Sequence, residues 1–243
     1  MEKLSALKSQ GIKKIQSRKY NDAIIDFTSV IDQIPQPEND DQANLKSLCL
    51  INRASCNLMI INTSSRNKSK EELVSLLQKT IDDAQQSINT LNQIRKSETD
   101  YFLGLINEKK KDELKADPLT HLFALSNLRL GESYESLNDN QKAFYYYSIA
   151  FNAEQFDDKN PNFNNNQEAK KAVRDFLQKR YNVPDVKNNE KNPDFQDLVN
   201  MRIFITDKPA MSKSLTTFLS KIYGNQLSHQ TMKKLETSKY LNI

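Results

Sequence analysis

Residues 11–35, GIKKIQSRKYNDAIIDFTSVIDQIP, decide the fold class of this chain. A first helical face begins before this stretch and continues into it, because small or apolar residues recur at the three- or four-residue spacing of one helix face. These residues are Leu4, Leu7, Gly11 and Ile15. A second helical face runs from Tyr20 to Ile34 and ends at Pro35. Asn21 and Asp22, at its start, can accept hydrogen bonds from the free N–H groups of the first turn. The stretch therefore predicts a helix–turn–helix hairpin.

The same pattern returns near residue 131. The gaps of twelve and four residues that separate Gly11, Ala23 and Phe27 also separate Gly131, Ala143 and Tyr147. Small residues on both helices of a hairpin let the backbones approach, and the aromatic residue then fills the groove to the next hairpin. The recurrence predicts that the hairpin is an internal repeat.

These units resemble the tetratricopeptide repeat (TPR) family, whose hairpins carry a small residue in the first helix, Ala and an aromatic in the second, and often a final Pro. The first unit, residues 5–35, matches at Gly11, Tyr20, Ala23, Phe27 and Pro35. The third, residues 122–155, matches at Gly131, Tyr134, Ala143, Tyr147 and Ala150. The resemblance implies an all-α fold, a right-handed superhelical array of antiparallel hairpins, with three repeats in residues 1–182.

The middle unit matches the family less well. Its helices are predicted over residues 45–60 and 71–92, and its Asn52-Arg53-Ala54 resembles the Asn-Arg-Ala that opens the second repeat of chaperone-binding members. An insertion near residues 62–70 lies between these two helices, and a second insertion near residues 94–118 separates the second unit from the third. The second insertion is predicted to contain a short helix over residues 101–115, started by Ser97.

The carboxyl-terminal part is predicted to be helical but lies outside the resemblance. A helix over residues 167–181 is expected to cap the open end of the array. A polar linker follows at residues 183–193. Residues 194–243 form a small helical tail of unassigned role, with helices predicted over 195–202, 208–223 and 228–241.

Composition favours a helical, non-secreted protein. The chain has 243 residues, of which 37% are hydrophobic, a share that suits an elongated helical array with a shallow core. It has only four glycines, which argues against turn-rich β-proteins and phosphate-binding loops. The amino terminus lacks the apolar core of a signal peptide, and no segment approaches the roughly 18 apolar residues of a membrane span. We therefore expect a soluble cytoplasmic protein. Cys49 and Cys56, spaced i,i+7, are expected to be free buried thiols on one helix face.

Catalysis and nucleic-acid binding have little support in the sequence. The two histidines, His121 and His229, are far apart, and neither lies in a catalytic or metal-binding motif. Basic and acidic residues are interspersed, giving a net charge of +4 without a basic stripe. The aromatic run from Phe144 to Tyr147 would point in four directions on a helix, so Tyr147 is expected in the core. We expect no enzyme activity, no cofactor, no metal, no nucleic-acid partner and no membrane.

The resemblance also implies a binding site on the first helices of the repeats. In family members that bind the acidic C-terminal tails of heat-shock chaperones, Lys, Asn and Arg side chains hold the terminal carboxylate through charge-assisted hydrogen bonds. Lys8, Asn52 and Arg129 match three of the five positions of this clamp. Ile12 and Leu125 occupy the other two, where those members have Asn and Lys, and could instead offer an apolar surface to a ligand. Each match also has a plain structural explanation; Arg129, for example, could pair with Glu132 at i,i+3.

The sequence thus predicts a protein-interaction adaptor that binds a partner peptide in the concave groove, with the acidic tail of a heat-shock chaperone as one candidate. Such an adaptor would act as a co-chaperone or assembly factor. The alternative is a structural subunit of a large assembly that does not bind chaperone tails.

Overall fold

The computed structural model describes residues 1–64, 67–97, 100–108, 110–154, 171–172 and 175–176. The described residues up to 154 form eight α-helices, and no described residue lies in a strand, which confirms the all-α prediction. The helices are α1 (Glu2–Gln16), α2 (Tyr20–Asp32), α3 (Asp40–Ser64), α4 (Lys70–Ile94), α5 (Tyr101–Asn107), α6 (Lys111–Ala116), α7 (Thr120–Ser136) and α8 (Asn140–Glu154).

Six of the helices pack as three sequential hairpins. These are α1 with α2, α3 with α4, and α7 with α8, and each hairpin also contacts the next one through α2 with α3 and α4 with α7. The first helices of the hairpins contact one another as well, α1 with α3 and α3 with α7. The short helices α5 and α6 pack against each other, and α5 reaches α8. The result is a stack of hairpins with one inserted helical segment.

The glycines of the first and third hairpins lie directly under aromatic rings. A Cβ atom added to Gly11 would lie 2.7 Å from Cε1 of Phe27, and one added to Gly131 would collide with the ring of Tyr147. Both rings are buried. The spacing seen in the sequence therefore reflects a contact within each hairpin, because only a residue without Cβ leaves room for the ring. Phe27 also belongs to one apolar cluster with Cys49 and Leu50 of α3, which agrees with the predicted role of the aromatic residue between hairpins.

The two hairpins also share their turn. Arg18 and Asn138, each seven residues after the glycine, adopt positive φ angles of 58° and 61°. The next N–H group in each case, of Lys19 or Asp139, donates to a carbonyl five residues back, at 2.8 and 2.9 Å. This is a Schellman ending, which satisfies the last carbonyls of the first helix and reverses the chain. The repetition therefore extends from the packing contact to the turn.

The buried apolar side chains form two clusters. One belongs to the first hairpin and α3, and includes Phe27, Cys49 and Leu50. The other is built mainly from α4, α5, α7 and α8, and includes Phe102 and Phe123, whose rings stack 5.0 Å apart. Helix α3 contributes to both clusters and joins them.

Several predicted capping residues and helix bounds are wrong. Helix α2 begins at Tyr20 after Lys19, with no side-chain cap, so Asn21 and Asp22 do not have the predicted capping role. Helix α3 begins at Asp40 rather than residue 45, because Asn39 Oδ1 accepts a hydrogen bond from the Gln42 N–H at 3.0 Å. It also continues past residue 60 to Ser64, into the first predicted insertion.

The predicted helix over residues 101–115 is two short helices, α5 and α6. Asp100 rather than Ser97 caps α5, and its side chain accepts from the Leu103 N–H at 3.0 Å. Ser97 instead follows Lys96, whose positive φ of 52° belongs to the end of α4. The predicted cap of α5, Ser97, therefore belongs to the turn that ends α4.

Little of the predicted carboxyl-terminal region belongs to the described residues. Residues 171–172 and 175–176 are helical, in agreement with the predicted capping helix. Phe176 is buried against α8, with its ring centroid 5.7 Å from that of Tyr147. The linker at 183–193 and the helices predicted in 194–243 lie outside the described residues.

Candidate peptide-binding site

The five predicted site residues lie on the first helices of the three hairpins. Lys8 and Ile12 are on α1, Asn52 is on α3, and Leu125 and Arg129 are on α7. Because α1 contacts α3 and α3 contacts α7, the three helices are neighbours along the stack. All five side chains are partly buried.

The two apolar site residues, Ile12 and Leu125, pack against the hydrophobic core. Ile12 packs against the cluster around Phe27, and Leu125 packs against the cluster around Phe123. Both remain partly exposed. Each can therefore offer a ligand only the part of its surface that the core does not already cover.

The side-chain hydrogen-bond donors of Lys8 and Asn52 are available to a ligand. Neither side chain makes a hydrogen bond or ion pair with any residue in the described part of the chain. Lys8 lies near α3, since its charge acts on Cys49, one turn before Asn52. Burial raises the pKa of the Cys49 thiol to about 12, and the positive charges of Lys8 and Arg53 oppose this rise only in part. Cys49 and Cys56 are buried free thiols, as predicted.

Arg129 is paired within its own helix. Its Nη1 donates to Glu132 Oε2 at 2.6 Å, which confirms the i,i+3 pair suggested by the sequence. The arginine side chain is only 17% exposed. A ligand carboxylate at this position would therefore have to compete with, or bind beside, an acidic group already in contact with the guanidinium.

Arg129 also borders a small cavity between α3 and α7. The cavity has a volume of about 260 Å³, with Leu58 and Met59 on the α3 side and Arg129, Glu132 and Glu135 on the α7 side. Met59 is 46% exposed and gives the α3 side of the cavity an apolar surface. The cavity can accept an apolar group next to a charged one. Lys8, Ile12, Asn52 and Leu125 do not border it.

The α3 side of this cavity was not predicted from the sequence. Ser55, Met59 and Asn62 follow Asn52 by three, seven and ten residues, a spacing that places them on the same helix face. That spacing could have been recognised from the position assigned to Asn52. The exposure of Met59 could not, because it depends on where α7 packs.

A second arginine joins three helices on the other side of α3. The Arg53 side chain donates to both carboxylate oxygens of Asp83 on α4, at 3.0 and 2.6 Å, and to Thr28 on α2 at 2.9 Å. Burial raises the pKa of Asp83, although the hydrogen bonds and charge of Arg53 act in the opposite direction. Arg53 therefore holds helices together and is not an obvious free donor.

No group of three or more His, Cys, Asp or Glu side chains in the described residues could hold a metal ion. None of the helices seen in the structure combines the length and the apolar character that a membrane crossing requires. Comparisons with protein-family models, curated proteins and solved structures find no match to this chain.

Proposed function

We propose that this chain is a protein-interaction adaptor of the TPR type, which binds a partner peptide along the face formed by α1, α3 and α7. The observation that carries the proposal is the cavity between α3 and α7, where exposed Met59 lies beside Arg129. An exposed apolar side chain next to a charged donor suits a peptide that presents an apolar side chain and an anionic group.

The TPR assignment is supported by the two matching hairpins. Each places a glycine of its first helix under an aromatic ring of its second and ends the first helix with the same turn. Repeats of this kind cannot bury their apolar faces alone, so they stack and leave the first helices along a common surface. Such a surface is the usual binding face of a repeat array.

Lys8, Asn52 and Arg129 support an anionic ligand on this face. Lys8 and Asn52 have free donors within the described chain, whereas Arg129 shares its charge with Glu132. Glu132 and Glu135 disfavour acidic side chains of a ligand inside the cavity beside Arg129, so the acidic groups of a ligand would lie nearer Lys8 and Asn52. The best ligand is therefore a peptide with a terminal carboxylate and apolar side chains near it. The acidic tail of a heat-shock chaperone is the first candidate to test.

Isothermal titration would test the proposal. The full chain would be titrated with acidic C-terminal peptides of heat-shock chaperones, each with a free and with an amidated carboxyl end. We expect micromolar binding that requires the free carboxylate, since each charged hydrogen bond contributes about 1.5–3 kcal/mol. Lys8→Ala and Arg129→Ala should each weaken binding by about tenfold or more.

Lys13→Ala is the matched control, because Lys13 is an exposed lysine of the same helix α1. It should bind like the unmodified protein. Circular dichroism would establish that the variants remain helical. If no peptide binds, or if binding is the same in Lys8→Ala and Arg129→Ala, the carboxylate-binding role is wrong. A structural subunit of a large assembly would then be the better account.

A further inference from the structure

A second cavity, larger than the one beside Met59, lies on the other side of α3. It has a volume of about 1120 Å³, with α3 as its floor and α2 and α4 as its walls. Ile24 of α2, Ile60 of α3 and Leu76 of α4 provide its apolar surface. We call this three-sided cavity the outer trough.

The outer trough is closed at one end and open at the other. Arg53 spans the closed end, where it is bonded to Thr28 of α2 and Asp83 of α4. Helices α2 and α4 run in the same direction, because each is antiparallel to α3. The open end therefore lies near the start of both, beside the α1–α2 turn and the α3–α4 connection, whose residues Arg18, Lys19 and Lys68 border the cavity.

A buried amide in the floor has no partner. Asn57 is 3% exposed and borders the outer trough, yet its side chain makes no hydrogen bond with any other described residue. Buried polar side chains in folded proteins nearly always have a partner. The amide atoms of Asn57 are not among the fully enclosed polar atoms, so they remain available through the trough to a ligand that supplies a hydrogen-bond donor or acceptor.

The border of the trough is cationic. Arg18, Lys19, Lys68 and Lys79 line it, and none of them is ion-paired among the described residues. The carboxylates that face the same space are Asp22, Asp82 and Asp83, and Asp83 is already paired with Arg53. Four free cations thus stand against two free carboxylates. The excess positive charge favours an anionic occupant.

The outer trough is separate from the proposed peptide groove. At about 100° per residue, Asn57 points about 140° away from Asn52 and about 160° away from Met59 around α3. No residue borders both cavities. The two sites can therefore be tested independently, and the following proposal does not rest on the function proposed above.

We propose that the outer trough binds an extended acidic peptide segment of a partner protein. The floor from Arg53 to Ser64 is about 16 Å long at 1.5 Å per helical residue, which accommodates about five residues of extended peptide. Carboxylates of the peptide contact the border cations, and a backbone amide bonds to Asn57. Apolar side chains between the acids contact Ile24, Ile60 and Leu76. A small anion would use neither this length nor the apolar surface.

The test is fluorescence anisotropy with a labelled decapeptide of alternating glutamate and leucine whose carboxyl end is amidated. The amide removes the terminal carboxylate that the groove on the opposite face would need. We expect binding that weakens as salt is raised from about 50 to 200 mM. The Lys68→Glu/Lys79→Glu double variant should weaken it at least tenfold. Lys3→Glu/Lys96→Glu, which makes the same charge change at exposed lysines outside the trough, should not.

Asn57→Leu separates a binding role from a structural one. Leucine has the same branching of heavy atoms as asparagine, and its bulkier methyl groups can extend into the trough that Asn57 borders. This variant should therefore keep its melting temperature while peptide binding falls several-fold. Three outcomes would overturn the proposal. These are no binding at millimolar peptide and low salt, binding lost in Lys8→Ala/Arg129→Ala but kept in Lys68→Glu/Lys79→Glu, or tighter binding of inorganic phosphate or oligouridylate than of the peptide.

Discussion

At the residue scale, two glycines determine how closely the helices of a hairpin approach. Gly131 lies under the ring of Tyr147, which is also held by Phe176 and by a hydrogen bond from its hydroxyl to Glu135 at 2.8 Å. A ring held on three sides cannot move away from a new methyl group. The identity of this residue is therefore set by packing and not by a left-handed backbone angle.

We expect Gly131→Ala to lower the free energy of unfolding by about 2 kcal/mol. Alanine in a helix interior is normally about 1 kcal/mol better than glycine, but overpacking a rigid core costs about 1–3 kcal/mol or more. Urea denaturation followed by circular dichroism would measure the change. Gly104→Ala is the control, because nothing lies within 4 Å of its added Cβ. It should be neutral or stabilising, and an equal effect of both variants would contradict the packing explanation.

At the element scale, one arginine joins three separate parts of the chain. Arg95, which follows α4, forms two hydrogen bonds with Asp117 at 2.6 and 2.7 Å and two with Asp40, the first residue of α3, at 2.7 and 3.2 Å. Asp117 is 7% exposed and directly precedes the connection into α7. The arginine thus fixes where the inserted segment ends and the third hairpin begins.

We expect Arg95→Met to destabilise the protein by about 3–5 kcal/mol, because it leaves the buried Asp117 carboxylate without its countercharge. Thermal unfolding monitored by circular dichroism would show the loss. Lys110→Met removes an exposed pair with Glu108, whose side chains are 46% and 60% exposed, and should change stability by less than about 1 kcal/mol. Similar effects of the two variants would mean that Asp117 is adequately solvated without Arg95.

At the scale of the whole molecule, two apolar clusters share helix α3. Phe27 belongs to the first cluster and Phe123 to the second, and both are fully buried. Each hairpin contacts mainly its neighbours, so stability in such a stack is carried by local interfaces and its parts can open separately. A mutation that destabilises one cluster is therefore expected to affect the nearer end of the stack more than the far end.

We expect Phe27→Ala to increase amide hydrogen exchange in α1 and α2 much more than in α7 and α8. Phe123→Ala should have the opposite pattern. Truncating a buried phenylalanine costs about 3–5 kcal/mol, enough to expose the nearest helices to exchange. Mass spectrometry of peptic fragments would resolve the regions. A uniform increase along the chain in both variants would show that the stack unfolds as one unit.

The sequence alone determined the helical hairpins and the recurrence of one small-residue and aromatic pattern in the first and third of them. Helix periodicity and the gaps between Gly11, Ala23 and Phe27 are local properties, because residues on one helix face or across one short turn keep fixed geometric relations. The burial of Tyr147 and the pairing of Arg129 with Glu132 followed from the same local geometry.

Only the tertiary structure decided which distant residues meet. Arg53 contacts Asp83 thirty residues away, and Arg95 contacts Asp40 fifty-five residues away. Helix starts were misjudged at Asp40 and Asp100 because several polar residues nearby could act as caps, and packing selects among them. The outer trough and the cavity beside Met59 depend on the rotation and spacing of whole helices. These are set by many side chains packing together, and no short stretch of sequence contains them.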